Sequence, residues 1–141
     1  MMVNRTRLLP MFAVVLLVAG CAVVPTELPP PPASNNTAVL ALLDKAQTQS
    51  VSGQWDQAGA NLERALRIEP RNPLLWHELA SVRFSQGQYQ QAENLATKSN
   101  SLAAGDGRLQ TENWRLIGQA RSRRGDLRGS QAAFERAEQG R

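Results

Sequence analysis

Apolar and polar residues divide the chain into three unlike parts. Residues 8–19 form an apolar run that follows Arg5 and Arg7. Residues 22–36 contain five prolines and almost no large apolar side chains. From Thr37 onward, the pattern is mixed and periodic, as expected of a packed domain. The pattern therefore predicts a folded domain over residues 37–141, preceded by a short apolar segment and a linker.

A short phrase recurs three times in the predicted domain. GQWDQA begins at Gly53, GQYQQA at Gly87 and GDLRGS at Gly125. The first two glycines are 34 residues apart and the next two are 38 apart. A large apolar residue lies 11 positions before each glycine: Leu42, Trp76 and Trp114. Because the glycines and the apolar residues before them recur with matching spacing, we predict three similar units.

The second unit carries the most complete motif, Trp76-x-x-Leu79-Ala80 followed by Gly87-x-Tyr89-x-x-Ala92. This motif and its period resemble the tetratricopeptide repeat, a helix–turn–helix unit of about 34 residues. The resemblance implies an all-α fold. It also implies that about three units form a short right-handed superhelix.

Individual residues predict where the helices begin, end and pack. Each repeated glycine lies where the first helix of a pair ends, a position that often needs the left-handed conformation. We expect Asp56 and Asp126 to cap the second helices, and Asn72-Pro73 to begin a new unit. Four small residues are expected to allow close helix approach: Ala58, Ala80, Ala92 and Gly118. Six large ones are expected to pack between helices: Trp76, Leu79, Tyr89, Ile117, Leu127 and Phe134.

Two features depart from the repeat pattern. The aromatic residue that is usual late in the first helix is replaced by Gln49, Arg83 and Arg121. The segment AAGDGRLQTE adds four residues between the second and third units. We expect residues 105–109 in this segment to form a mobile loop.

The only cysteine, Cys21, follows the apolar run. The run of 12 residues is shorter than the roughly 20 that a spanning helix needs, and its basic start is typical of an export signal. The order Val18-Ala19-Gly20-Cys21 resembles the bacterial lipobox. The resemblance implies a signal peptide over residues 1–20, cleavage before Cys21, and acyl chains on that cysteine. A free or buried cysteine is the alternative.

Residues 21–36 would then form a lipidated linker. Two or more acyl chains hold a protein stably on a bilayer. Because Ala22 rather than Asp follows Cys21, the sorting pattern of such lipoproteins implies the outer membrane, facing the periplasm. Proline clusters stay extended, so about 15 residues at ~3.1 Å each reach ~45 Å from the lipid. The alternative is a proline-rich ligand for a partner module.

Residues suited to catalysis are scarce. The chain has one histidine, His77, and lacks the HExxH, GxSxG and phosphate-loop patterns. Carboxylates such as Glu63, Glu69, Glu78 and Glu93 are spread along the predicted helices. We therefore expect no enzymatic activity, no metal and no cofactor. His77 as a lone acid–base group is the alternative.

The first helices of tetratricopeptide units line a concave face. The resemblance implies that this face is lined here by nine residues: Leu43, Gln47, His77, Ser81, Phe84, Arg115, Gln119, Ser122 and Arg123. Residues 37–106 carry six Lys/Arg against seven Asp/Glu, whereas residues 107–141 carry eight arginines against four acids. This gradient favours an acidic or extended peptide partner, and a merely solvated basic face is the alternative. We expect no nucleic-acid partner, because aromatic residues are not interleaved with the basic ones.

A single lipobox, a short proline linker and about three repeats together resemble the LpoP-type outer-membrane lipoproteins. That family activates a bifunctional class A penicillin-binding protein, which polymerises and cross-links peptidoglycan. The resemblance implies an adaptor whose groove docks the synthase. The alternative is a pilotin-type assembly factor for a pilus or secretin complex, although those usually have more repeats. We also expect the outer side of the last helix to be a contact surface.

Overall fold

Six α-helices follow one another in the computed structural model, which describes residues 33–140 and contains no strand within them. They are α1 (Thr37–Val51), α2 (Trp55–Ile68), α3 (Pro73–Ser85), α4 (Tyr89–Leu102), α5 (Gly107–Arg123) and α6 (Leu127–Gln139). Each odd-numbered helix packs against the next one, and α2 and α4 also pack against the unit that follows. The predicted all-α fold of three helix–turn–helix units is confirmed.

In each unit, one turn joins the two helices, and the three turns have the same geometry. Gly53, Gly87 and Gly125 have φ of 73°, 77° and 85°. The residue after each glycine donates its N–H to the carbonyl five positions back, as Gln54 does to Gln49 at 2.8 Å. This is the Schellman arrangement, in which a glycine avoids the strain that a side chain would meet at positive φ. The predicted role of the repeated glycines is confirmed.

Two of the three predicted helix starts are confirmed. The side chains of Asn72 and Asp126 accept backbone N–H groups of α3 and α6, at 3.0 and 2.9 Å, and Pro73 occupies the first turn of α3. The prediction that Asp56 caps α2 is wrong. Its Oδ1 accepts instead from Gln86 Nε2 at 2.6 Å, so this carboxylate ties the first unit to the second.

The four additional residues of the third unit lengthen a helix and leave the loop unchanged. Helix α5 has 17 residues where α3 has 13, and residues 103–106 match the length of the loop at residues 69–72. The expectation of a mobile loop is therefore wrong for residues 107–109, which form the first turn of α5. Asp106 caps that turn by accepting from the Leu109 N–H at 3.0 Å, and the Leu109 side chain is buried.

The core follows the stack as two clusters. The first joins α1, α2 and α3, and its buried members include Val39, Leu43, Leu62, Leu75 and Leu79. The second joins α3 to α6 through Ala80, Ala96, Leu116, Ile117 and Ala133. Two of the expected packing residues are exposed instead: Leu127 by 70% and Phe134 by 38%. Both lie on α6, where no further helix of the described residues covers them.

The last residues of the predicted linker contact the domain. Ser34 Oγ donates to Glu69 Oε1 at 2.5 Å, and Asn72 Nδ2 donates to the Ala33 carbonyl at 2.8 Å. The predicted signal peptide, Cys21 and the rest of the linker lie outside the described residues. Within residues 33–140, no helix combines the length and the hydropathy needed to cross a bilayer.

Candidate protein-binding surface

The nine residues predicted for the concave face lie on α1, α3 and α5 in rows that follow the repeat. The first row is Leu43, His77 and Arg115, the second is Gln47, Ser81 and Gln119, and the third contains Phe84 and Ser122, with Arg123 beside it. Helices α3 and α5 contact each other directly. All the residues of these rows on α5 are exposed, whereas those on α3 are half-buried. The accessible part of the face therefore lies mainly on the third unit.

Leu43 is not a groove residue. Its side chain is only 6% exposed and belongs to the first core cluster. Val39, Leu43 and Ala46 are spaced four and three residues apart, so they form the buried stripe of α1 that packs on α2. The prediction for this residue is wrong, because repeat register alone does not distinguish the groove side of α1 from its buried side.

Four of the predicted residues do converge. Phe84 from α3 and Gln119, Ser122 and Arg123 from α5 line one cleft of about 320 Å³, together with Phe134 from α6. Phe84 packs edge-on against Tyr89, with ring centroids 5.3 Å apart, which holds its ring in place. The cleft thus combines two aromatic side chains, amide and hydroxyl groups, and one guanidinium. We call these five residues the α3–α5–α6 cleft.

His77 belongs to a buried polar chain that the sequence did not predict. Its Nδ1 lies 2.8 Å from Asn113 Oδ1, Asn113 Nδ2 donates to Ser99 Oγ at 2.7 Å, and Ser99 Oγ donates to the Pro73 carbonyl at 2.8 Å. Because the amide nitrogen of Asn113 already faces Ser99, the oxygen faces the imidazole, which must donate from Nδ1. Asn113 and Ser99 are fully buried. His77 therefore links the second unit to the third.

Packing between the second and third units also changes the pKa of the neighbouring Glu78. Burial raises the pKa of Glu78 because it disfavours the charged form; the nearby His77 opposes the effect and Glu112 adds to it. A carboxyl group with a perturbed pKa in a cleft is a common sign of a catalytic site. Here no cluster of three metal-binding side chains accompanies it within residues 33–140. The raised pKa follows from packing between units.

Arginines late in α3 and α5 form ion pairs across the unit boundaries. Arg83 pairs with Glu63 at 2.6 Å. Glu93 accepts from Arg121 at 2.7 Å and from Arg124 at 2.5 Å. Arg83 and Arg121 occupy the positions where the repeat normally has an aromatic residue, so an ionic contact replaces an apolar one. The sequence indicated the substitution but not the partners, which lie 20 or more residues away.

The ion pairs change the distribution of charge on the third unit. Two arginines of the segment RSRRGDLR, Arg121 and Arg124, are engaged with Glu93. Arg115, Arg123 and Arg128 are exposed, and none of them forms an ion pair with another described residue. Within the third unit, unpaired positive charge is therefore available to a partner on α5 and at the start of α6.

Comparison with known proteins identifies the repeat. A family model for the tetratricopeptide repeat matches residues 52–111. The search of curated proteins finds no match. Two solved structures at low identity share the fold. The N-terminal domain of stress-induced protein-1 from C. elegans is 16% identical, with a TM-score of 0.68, over 74% of this chain and 87% of that one. The Sgt2 domain from Aspergillus fumigatus is 20% identical, with a TM-score of 0.68, and the match covers 79% of this chain and 72% of that one.

A third solved structure is much more similar in sequence. The globular C-terminal domain of P. aeruginosa LpoP is 44% identical to this chain, with a TM-score of 0.72. The match covers 74% of this chain and 99% of the LpoP domain. The fold and the match both indicate a protein-interaction module and not a catalytic family. The chain belongs to the tetratricopeptide-repeat family, and within it is an LpoP-like protein.

Proposed function

We propose that this protein is an outer-membrane lipoprotein that activates a bifunctional class A penicillin-binding protein from the periplasmic side. The observation that carries the proposal is the 44% identity to the LpoP domain over 99% of its length. The chain acts as an adaptor and not as an enzyme, since its one half-buried histidine serves a structural contact.

The proposed anchor is Cys21. The basic start, the short apolar run and Val18-Ala19-Gly20-Cys21 support a signal peptide over residues 1–20 and acylation of the cysteine. Acylation at this position places lipid at the end of a proline-rich linker over residues 21–36. The partner is thus reached across a tether, and membrane contact depends on the lipid.

The proposed docking face is the exposed part of the concave rows. Arg115 and Arg123 supply positive charge, and the α3–α5–α6 cleft supplies two aromatic side chains beside it. Aromatic and arginine side chains are the residues that most often dominate protein interfaces. An extended, acidic segment of the synthase fits this combination. Binding activates the synthase if the segment is more accessible in its active conformation, since an activator needs only differential affinity for two states.

The direct test is to add residues 33–141 to purified synthase and its lipid-linked precursor. We expect faster glycan polymerisation or cross-linking. The docking face is tested by Arg115→Glu combined with Arg123→Glu, which should reduce the apparent affinity by at least tenfold because two favourable charges become repulsive. Helical content by circular dichroism should be unchanged.

A matched control comes from α2. Arg64→Glu with Arg67→Glu makes the same charge change at two exposed positions outside the concave rows. This variant should activate like the original chain. Equal loss in both variants would mean that net charge, and not the concave face, determines binding.

The alternative function is a pilotin-type role in assembling a pilus or secretin complex. It predicts no effect on the synthase and loss of secretin multimers in a deletion strain. The repeat number counts against it, since the described residues contain three units and pilotins of this class usually have more.

A further inference from the structure

Two grooves lie beside the glycine turns of the repeat stack. The first has a volume of about 460 Å³ and is lined by residues 53–57 together with Gln86 and Gln88. The second, of about 410 Å³, is lined by residues 87–91 together with Arg124, next to the third turn. Because Gln88 lines both, the grooves adjoin. We call their combined lining, residues 53–57, 86–91 and Arg124, the turn track.

Both grooves contain the same short motif, GQWDQ at Gly53 and GQYQQ at Gly87. In each, the aromatic residue and two glutamines line the groove. These are Gln54, Trp55 and Gln57 in the first groove, and Gln88, Tyr89 and Gln91 in the second. The third unit has Asp126, Leu127 and Gly129 at the corresponding positions. The combination of an aromatic ring with two amide groups is therefore confined to the first two turns.

The first glutamine of each motif is poorly suited to its structural position. Gln54 and Gln88 directly precede α2 and α4, yet neither side chain caps its helix. Asp126 precedes α6 in the same way and accepts the Gly129 N–H at 2.9 Å. Asp, Asn, Ser and Thr are the residues preferred at this position, and glutamine is not among them. Residues that forgo a local stabilising contact are expected at functional sites. Both amide groups are exposed and available to a ligand.

The turn track carries little charge. Its two charged side chains, Asp56 and Arg124, have opposite signs, and both already have partners. Asp56 Oδ1 accepts from Gln86 Nε2 at 2.6 Å, and Arg124 donates to Glu93 at 2.5 Å. Most of the remaining lining is glycine and glutamine. A strongly charged ligand therefore finds no matching cluster of charges here.

The two aromatic rings of the turn track are fixed by packing. Trp55 lies against the first core cluster, and Tyr89 packs edge-on against Phe84 with ring centroids 5.3 Å apart. Both rings are half-buried, so part of each is accessible from its groove. A ligand that contacts these rings does not have to order them, which lowers the entropy cost of binding.

We propose that the turn track binds a neutral saccharide chain. A glutamine amide both donates and accepts hydrogen bonds, as the hydroxyl and acetamido groups of sugars do. The fixed rings offer apolar contact to the C–H face of a sugar ring. An extended peptide fits less well, because peptide-binding surfaces use a sheet edge, an apolar or aromatic-lined groove, or a cluster of charges.

Saccharide binding is separate from the proposed docking of a synthase. The turn track and the α3–α5–α6 cleft share no lining residue. Arg115→Glu combined with Arg123→Glu should therefore leave saccharide binding unchanged, whatever its effect on the synthase. The proposal depends neither on the lipid anchor nor on the partner.

Isothermal titration calorimetry on the purified full-length chain, in a detergent without a sugar head group, tests the proposal. The probes are chitohexaose, which carries acetamido groups, and maltohexaose, which carries hydroxyl groups only. We expect saturable binding of at least one of them, and weaker binding of its dimer, because the hexamer can contact both grooves at once. Saturable binding of neither hexamer would overturn the proposal. So would equal or tighter binding of a neutral Gly-Ser peptide of similar length.

Gln54→Asp combined with Gln88→Asp separates binding from stability. Aspartate should cap α2 and α4 as Asp126 caps α6, so the melting temperature should rise. Loss of two amide groups should weaken saccharide binding at least about fivefold. Weaker binding in a more stable protein cannot come from unfolding.

The matched control is Gln131→Asp, at an exposed position on α6 outside both grooves. It makes the same chemical change and should bind the saccharide like the original chain. Unchanged affinity in the double variant, or an equal loss in the control, would show that the turn track is not the binding site.

Discussion

At the scale of single residues, one close contact in the domain pairs a glycine with an aromatic ring. A Cβ added at Gly118 would lie 2.8–2.9 Å from three ring carbons of Phe134. At the equivalent positions of the second unit, Ala80 and Ala96 are both small and both buried. In the third unit, glycine on α5 therefore makes room for an aromatic ring on α6. The sequence shows one small and one large residue but not that they are in contact.

The contact between Gly118 and Phe134 predicts that Gly118→Ala lowers stability when the ring is present and raises stability when the ring is removed. Gly118→Ala should destabilise the chain by about 1 kcal/mol, because overpacking against Phe134 outweighs the gain in helix propensity. With Phe134→Ala, the same substitution should stabilise by about 1 kcal/mol, since only the propensity remains. Urea denaturation of the four proteins in the double-mutant cycle measures both effects. Destabilisation in both backgrounds would show that the ring is not the cause.

A second residue-scale prediction concerns pH. Because burial raises the pKa of Glu78, its neutral form favours folding. That contribution is complete below the pKa of the unfolded chain and is lost as pH rises through the raised value. Glu78→Gln should therefore melt at a higher temperature than the original chain at pH 7, with the difference vanishing near pH 4. An exposed control, Glu135→Gln, should show no such dependence. A difference that is constant with pH would contradict the assignment.

At the scale of helices, the boundaries could be predicted where they depend on a few adjacent residues. Gly53, Gly87 and Gly125 end the first helix of each unit, and Asn72 begins the third helix. The start of α5 could not be predicted, because AAGDGRLQTE contains both turn formers and helix formers. Burial of Leu109 decides that those residues are helical. Contacts between helices were not predictable either, since Arg83 and Arg121 find their carboxylates on neighbouring units.

The two carboxylates that form ion pairs between units should differ in their contribution to stability. Glu93 is 13% exposed and contacts two arginines, whereas Glu63 is 49% exposed and contacts one. Glu93→Ala should cost about 2 kcal/mol, because it leaves Arg121 half-buried without its partner. Glu63→Ala should cost about 0.5 kcal/mol or less, as for an exposed pair, and Arg83 keeps its bond to Gln86. Thermal unfolding compares the two, and similar costs would mean that burial does not control these pairs.

At the scale of the whole molecule, three stacked units present an uneven surface. Leu43 of the first unit is buried, whereas Arg115 and Arg123 of the third unit are exposed on the concave rows. On α6, the side chains of Leu127 and Phe134 are exposed. That the outer side of this helix is a contact surface stays a prediction. In the proposed function, reach from the membrane is another property of the whole molecule, and it depends on the length of the linker.

Deleting residues 22–28 tests the importance of reach. In the proposed function, Cys21 carries the lipid and the synthase is the partner, so the deletion shortens the tether by up to about 22 Å and activation in cells should be lost. Purified protein in detergent should still activate, because no membrane then limits the approach. Restoring seven Gly/Ser residues should restore activity in cells. Full activity of the shortened protein in cells would show that the tether length is not limiting.

The sequence by itself determined the repeat, the all-α fold and the glycine turns that end the first helix of each unit, because each depends on residues adjacent in the chain or on a regular period. It also placed four of nine predicted groove residues, Phe84, Gln119, Ser122 and Arg123, in what is one cleft. Only the tertiary structure decided which of the others are accessible, which arginines are paired, and that His77 bonds to Asn113. These depend on contacts between units, whose register is set by how the helices pack, and packing is a property of the assembled stack and not of any local segment.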